Sequence, residues 1–219
     1  MILLHNVTKR YPLHGSEHTV LDRVNLTVHR GERIGILGRN GSGKSTLVRL
    51  ISGVEPPTEG FIRRDMRVSW PLAFSGGFQG HLTGMDNLRF ICRIYDVPFE
   101  DKLDYVEDFS ELGKYMREPV RFYSSGMRAR LAFALSMVID FDCYLIDEVV
   151  AVGDARFRDK CQTELFQKRG HKAMIIVSHE PSFIKKHCQD TAVIVKGKLR
   201  TFANVGEGFD YYTKHAKEQ

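Results

Sequence analysis

Along residues 1–37 the apolar positions come in short runs split by polar ones, the pattern of strands. The first run is "ILLHNVTKRY"; the second, "HTVLDRVNLTVHRGERIGIL", is broken by a turn at Arg30-Gly31. Val24, Leu26 and Val28 alternate with Asn25 and Thr27, a period of two. "RIGIL" (33–37) is compact and mostly apolar and predicts a buried strand. The pattern then changes: in "KSTLVRLISGV" Leu47, Leu50 and Ile51 share one helical face, and "PPTEG" (56–60) predicts a turn. Residues 80–140 read as helical, with candidate helices at "MDNLRFICRIY", "KLDYVEDFSEL" and "GMRARLAFALSMVI". In the last, Met127, Leu131, Leu135 and Val138 recur at steps of four, four and three and predict one apolar stripe. "CYLID" (143–147) and "MIIVS" (174–178) return to strand character. "TAVIVKGKLRTFA" (191–203) predicts a hairpin turned at Lys196-Gly197, and "FDYYTKHAKEQ" a surface helix that frays. Strands alternating with helices around a helical block predict a layered α/β domain with a helical subdomain inserted at 80–140.

Length and composition leave that picture standing and narrow the setting. A chain of 219 residues, 42% hydrophobic and 27% charged, has room for one full core. No apolar run approaches the roughly 20 residues needed to span a bilayer, and "MILLHNVTKRY" has none of the features of a signal peptide. The chain is therefore expected in the cytoplasm, unless a partner holds it at a membrane. Cys92, Cys143, Cys161 and Cys188 form no close pair, which disfavours a disulfide framework or a zinc site. The formal charge of +5 suits an anionic membrane surface, a phosphate ligand or nucleic acid. Nucleic acid is disfavoured because no basic-aromatic cluster accompanies the charge.

The chemistry concentrates after "RIGIL". "GRNGSGKS" (38–45) fits G-x-x-x-x-G-K-[ST], following a predicted strand and opening a predicted helix. Gly38, Arg39, Asn40, Gly41, Ser42 and Gly43 would turn bare N–H groups toward phosphate oxygens. The helix start adds partial positive charge and Lys44 a point charge. Ser45 can place its hydroxyl on Mg²⁺, and Thr46 can support an α-phosphate oxygen. The alternative, a plain helix-entry turn, leaves so many glycines unexplained. "CYLIDE" (143–148) supplies the second half: a buried strand delivers Asp147, which would hold Mg²⁺ through water, and Glu148, which would act as general base.

A third segment separates the phosphate-loop families. "YSSGMRARLAFAL" (123–135) resembles the LSGGQ-type signature of ATP-binding cassette (ABC) proteins, with Ser124 as N-cap and Ser125 and Gly126 at the helix start. Tyr123, Ser125 and Met127 depart from the family's Leu, Gly and Gln. Other family elements follow in order. Tyr11 in "KRYP" matches the aromatic that stacks on adenine, and Gln79 the Q-loop glutamine that reaches Mg²⁺ and water. Asp154 in "AVGD" (151–154) stands where the D-loop acid belongs, and His179 matches the switch histidine that senses the γ-phosphate. The resemblance implies a P-loop NTPase layered sheet with an N-terminal antiparallel β part and an inserted helical subdomain, a single nucleotide-binding domain over 1–219. It implies ATP and Mg²⁺ as cofactors, and catalytic roles for Glu148, His179, Gln79 and Lys44 in a head-to-tail homodimer. There ATP sits at the interface, and Ser124, Ser125 and Gly126 serve the partner's nucleotide.

"GGFQGHLTGMDNL", "YSSGMRARLAFA" and "IDEVVAVGDARFRDKC" together look like the ATP-binding subunits of polysaccharide exporters of the capsule, O-antigen and teichoic-acid systems. Only 40 residues follow His179, which favours the compact capsular kind over O-antigen members with an added carbohydrate-binding domain. That likeness implies two integral-membrane permease subunits as partners, a place on the cytoplasmic face of the inner membrane, and a polysaccharide that never touches this chain. The competing expectations are an ABC ATPase of a lipid or small-molecule transporter, a soluble ABC ATPase acting on nucleic acid, and a P-loop kinase.

Overall fold

The structure, a computed structural model, describes residues 1–13, 15–72, 79–147, 154–178 and 180–215. They divide into two compact units: one from the described residues of 1–71, 141–148 and 169–219, the other from those of 72–140 and 149–168.

The first unit holds two sheets. Strands β1 (Ile2–Leu13), β2 (Ser16–Val28) and β4 (Glu59–Arg64) pair antiparallel in the order β2-β1-β4. Ile2 lies opposite Val28, and Leu4 opposite Leu26. The period-two alternation read at Val24–Val28 thus puts one face of β2 in the core, where Val24, Leu26 and Val28 are buried. The second sheet has six strands in the order β5-β6-β7-β3-β8-β9. Its members are β3 (Arg33–Leu37), β5 (Val68–Pro71), β6 (Cys143–Asp147), β7 (Ala173–Val177), β8 (Asp190–Val195) and β9 (Lys198–Phe202). All pairs are parallel except β8–β9, a hairpin. Lys196 (φ 48°) and Gly197 (φ 75°) turn it, both in the left-handed region that two-residue hairpin turns require. Central β7 is buried at every position, as strands covered on both faces are.

Helix α1 (Lys44–Ser52) packs Leu47, Leu50 and Ile51 into the core that joins both sheets, the face its sequence predicts. Two further helices are found among the described residues of this unit. Helix α6 (Pro181–His187) starts with the proline at a position where no N–H is needed, and α7 is Val205–His215.

The α-helices among the described residues of the second unit are α2 (Gly84–Tyr95), α3 (Glu100–Ser110), α4 (Ser125–Val138) and α5 (Ala155–Gln162), the last continued by a wide turn at Thr163–Lys168. The stripe predicted for α4 is corrected. Leu131–Val138 are buried on every side while Met127 is only half-buried, so this helix is a core element rather than an amphipathic one. Phe109 of α3 binds the unit together, with its ring 5.6 Å from those of Phe133 on α4 and Phe157 on α5. The expected turn at 56–60 is also corrected, since β4 already begins at Glu59.

Among the described residues no helix is long and apolar enough to cross a membrane. The four cysteines are free. Burial pushes the thiols of Cys143, Cys161 and Cys188 up to about 12.

Candidate functional site

The glycine loop lies between β3 and α1, at the carboxyl end of the parallel strands. Gly43 sits at φ 106°, a backbone that side chains resist, and its missing Cβ would come within 3.0 Å of Leu21 Cδ2. That bend starts α1 with no side-chain cap and no acidic residue in the first turn. The opening amides and the positive end of the helix dipole are therefore directed at the loop, an anion site by construction. Lys44 is buried, and its Nζ donates to the carbonyls of Gly38 (2.7 Å) and Arg39 (3.0 Å), which fold the side chain back along the loop. Gly38 has no room for a side chain, since a Cβ there would lie 2.5 Å from Ser42 Oγ. A Cβ at Gly41 would meet open space, and the residue holds φ 82°.

Whether this loop fits a phosphate can be judged from one atom. Ser42 Oγ is buried and makes no hydrogen bond among the described residues, an expensive state for a hydroxyl unless a ligand oxygen completes it. Arg39 and Asn40 are exposed at the loop's crest; Ser45 is exposed at the helix start, and Thr46 is buried one residue on. These residues fit a phosphate chain, and the Ser45 hydroxyl is an oxygen donor of the kind that suits Mg²⁺.

Asp147 ends β6. In the register Asp147 lies opposite Val177 of β7, and Val177 opposite Ile36 of β3. Two strand spacings, about 10 Å, thus separate the Asp147 backbone from the strand that feeds the loop. The two motifs face the same end of one sheet, the edge where open α/β sheets bind ligands. Glu148 and His179 lie outside the described residues.

Tyr11 is half-buried on β1 and opposite His18 of β2. Its hydroxyl donates to Glu55 Oε2 at 2.5 Å and accepts from Arg49 on α1 at 3.3 Å. Arg49 also donates to Thr46 Oγ1 at 3.3 Å. Through Arg49 the structure brings Tyr11 together with the loop residues. Arg49 and Glu55 belong to no motif, and their only sequence signal is that Arg49 follows Thr46 by one helical turn.

The remaining predicted residues lie in the second unit. Gln79 is exposed, and its backbone is held from α2 and the turn before it: its N–H donates to Asn87 Oδ1 at 3.3 Å, and its carbonyl accepts from Leu82 N at 3.0 Å. Ser124 caps α4, its Oγ accepting from Met127 N at 3.2 Å. Ser124 and Ser125 are exposed and Gly126 half-exposed, so the start of this helix is open to a neighbouring molecule. Tyr123 is instead buried and donates its hydroxyl to the Tyr115 carbonyl, which gives this departure from the signature a packing role. Asp154 caps α5 by accepting from Phe157 N at 2.9 Å, and its other oxygen accepts from Arg130 at 3.0 Å. The signature helix and the acid of "AVGD" are thereby joined.

A strand, a bare-backbone loop that doubles back on a lysine, and a helix opening without a cap define a P-loop nucleotide-binding protein. Residues 21–151 match the ABC transporter family, more than half of the chain, and the chain belongs to that family. It is 58% identical over 212 residues to the capsule polysaccharide export ATP-binding protein CtrD of Neisseria meningitidis serogroup B, covering 97% of this chain and 98% of that one. It is 56% identical over 217 residues to the ATP-binding protein BexA of Haemophilus influenzae, covering 99% of this chain and all of that one. Among solved structures it resembles the dimeric, post-hydrolysis ATP-binding cassette MJ0796 bound to ADP and Pi. The TM-score is 0.78 at 20% identity over 92% of this chain and 98% of the other, a likeness of fold.

Proposed function

We propose that the chain is the ATP-hydrolysing subunit of an exporter that drives a capsular polysaccharide across the inner membrane. The observation that carries this reading is the 58% identity, end to end on both chains, with a capsule polysaccharide export ATP-binding protein.

Two copies would bind ATP at their mutual interface. The loop of one, Gly38 to Thr46, cradles the phosphates, and the open start of α4 of the other, at Ser124, Ser125 and Gly126, closes on them. Binding energy then enters as contacts that exist only in the closed pair, which is how a ligand shifts a conformational equilibrium. Ser45, Asp147 and Gln79 are the residues that would hold Mg²⁺, which when bound offsets charge on the phosphates. Lys44 stabilises phosphate charge, Glu148 takes the proton from water, His179 senses the terminal phosphate, and Tyr11 stacks on adenine. Asp154 anchors α5 beside the signature helix. Closure would pull on two integral-membrane permease subunits, with this chain peripheral on the cytoplasmic face. The polymer itself is not bound here, and nucleic acid is not a partner.

The test is genetic and biochemical. Deleting the coding sequence should abolish surface polysaccharide while polymer accumulates inside the cell. The intact chain should restore export, and its Lys44→Ala variant should not. The chain should also co-purify with a polytopic membrane protein. Unchanged surface polymer in the deletion, or an ATPase stimulated by DNA or RNA and found away from membranes, would overturn the reading.

A further inference from the structure

Tyr11 is held by polar side chains as well as by its place on β1. Three side chains converge on it: Lys9 from its own strand, Arg49 from α1 and Glu55 from the turn after α1. Its hydroxyl donates to Glu55 Oε2 at 2.5 Å and accepts from Arg49 at 3.3 Å. The other carboxylate oxygen of Glu55 lies 2.7 Å from Arg49 Nε, which closes a triangle of Tyr11, Glu55 and Arg49. Lys9 Nζ is 3.3 Å from Glu55 Oε2 and stands over the Tyr11 ring, 5.1 Å from its centroid. One ring face is therefore occupied by a cation, and a base would take the other.

We infer that Glu55 and Arg49 are positioning residues that fix the orientation of Tyr11 and tie it to Thr46, so that the base end and the α-phosphate end of the nucleotide site are set by one rigid bridge. The inference rests on the reading of Tyr11 as the adenine-stacking residue. The bridge preorganises the ring. A tyrosine near a strand end has two free side-chain torsions, and stacking a base on a wandering ring costs their entropy at the moment of binding. A hydroxyl clamped by a carboxylate has already lost that freedom on folding. The Tyr11 hydroxyl donates to a charged acceptor, the strong kind of hydrogen bond, and the Arg49 guanidinium forms an ion pair with the other Glu55 oxygen. Arg49 reaches both ends, because its guanidinium also donates to Thr46 Oγ1 at 3.3 Å. Glu55 acts through Tyr11 and does not itself touch nucleotide.

The test compares ATP with inorganic tripolyphosphate, which has the phosphates but no base, by calorimetric titration of the full chain. Tyr11→Ala should weaken ATP binding and leave tripolyphosphate binding alone. Glu55→Ala should weaken ATP binding roughly fivefold, about 1 kcal/mol, again with tripolyphosphate unchanged. Tyr11→Phe, which keeps the ring and drops the hydroxyl, should reproduce the Glu55→Ala loss without risk to folding. In the Tyr11→Ala background, Glu55→Ala should add nothing further. A Glu55→Ala protein that binds ATP as the wild type does, while Tyr11→Ala weakens it, overturns the positioning role and leaves the Tyr11 reading intact. Unaltered ATP affinity in Tyr11→Ala overturns both. Equal loss of ATP and tripolyphosphate in Glu55→Ala makes the residue structural and overturns the inference.

Discussion

Arg130 donates to Asp154 Oδ2 at 3.0 Å, while Asp154 Oδ1 accepts from Phe157 N at 2.9 Å. One carboxylate thus caps α5 and grips α4 at once. The two jobs differ in worth, because the Asp154 side chain is 63% exposed and ion pairs in water contribute little. Asp154→Asn, which can still cap, should cost well under about 1 kcal/mol, whereas Asp154→Ala should cost about 1 kcal/mol through the lost cap. Urea unfolding of both variants checks the ranking; equal losses would assign the stability to the ion pair instead.

Tyr123 and Gly84 are coupled by shape. A Cβ on Gly84 would lie 2.7 Å from Tyr123 Oη and 3.1 Å from Met116 Sδ, at a residue in the first turn of α2. Gly84→Ala should therefore destabilise by about 1–3 kcal/mol, the usual range for overpacking. Tyr123→Leu, which restores the family's residue, should relieve most of that cost when the two are combined. A double-mutant cycle in denaturant measures the coupling, and strict additivity would mean the clash is absorbed elsewhere.

His187 makes the stability of the first unit sensitive to acid. Burial, helped by Lys186 and Arg33, lowers its value from 6.5 to about 4. The unfolded chain binds a proton at this ring below about 6.5, and the folded chain does so only below about 4, so lowering pH across that window favours unfolding. His187→Gln, neutral throughout, should flatten the fall in stability between those values. Urea midpoints measured from pH 7.5 down through the window test it, and an unchanged slope in the variant would remove His187 as the cause.

Most of the first unit can be read from periodicity, because its strands and α1 bury regular faces: Val24, Leu26 and Val28 on one, Leu47, Leu50 and Ile51 on another. What escapes has physical reasons. β4, "EGFIRR", is exposed or half-exposed at every position and pairs on one side only, with β1, so it carries no apolar alternation. β5 has four residues and ends in proline; α6 has seven and begins with one. The phosphate loop is legible because Gly41 and Gly43 hold left-handed backbone that favours glycine, while Gly38 leaves little space for a Cβ, so the glycines stand out in the sequence. Arg49 and Glu55 are not, since they meet Tyr11 across 38 and 44 residues of chain, and Arg130 meets Asp154 across 24. Such pairings are created by topology and leave no local trace.

Lys44 is held by two carbonyls of its own loop, so its removal acts on the site and not only on the charge. Lys44→Ala takes away the cation proposed to meet phosphate and frees the carbonyls of Gly38 and Arg39. Nucleotide affinity should fall by about tenfold or more, the equivalent of about 1.4 kcal/mol. Titration with a fluorescent ATP analogue reads it directly. Unchanged affinity would mean that the loop amides and the helix start bind phosphate without the lysine.

Glu148 follows Asp147 at the end of β6, and its proposed task is to take a proton from water. Glu148→Gln preserves size and hydrogen bonding but cannot act as a base at neutral pH, so binding and chemistry should separate. Turnover should drop by about a hundredfold or more, the usual weight of a positioned base, with ATP affinity retained. The closed pair would then persist, because only hydrolysis would remove the terminal phosphate on which the partner's Ser124 and Gly126 are proposed to close. Size-exclusion chromatography of the variant with MgATP should show a dimer that dissociates when ADP replaces ATP. A Glu148→Gln chain that elutes as a monomer and hydrolyses ATP at the wild-type rate would assign the base elsewhere.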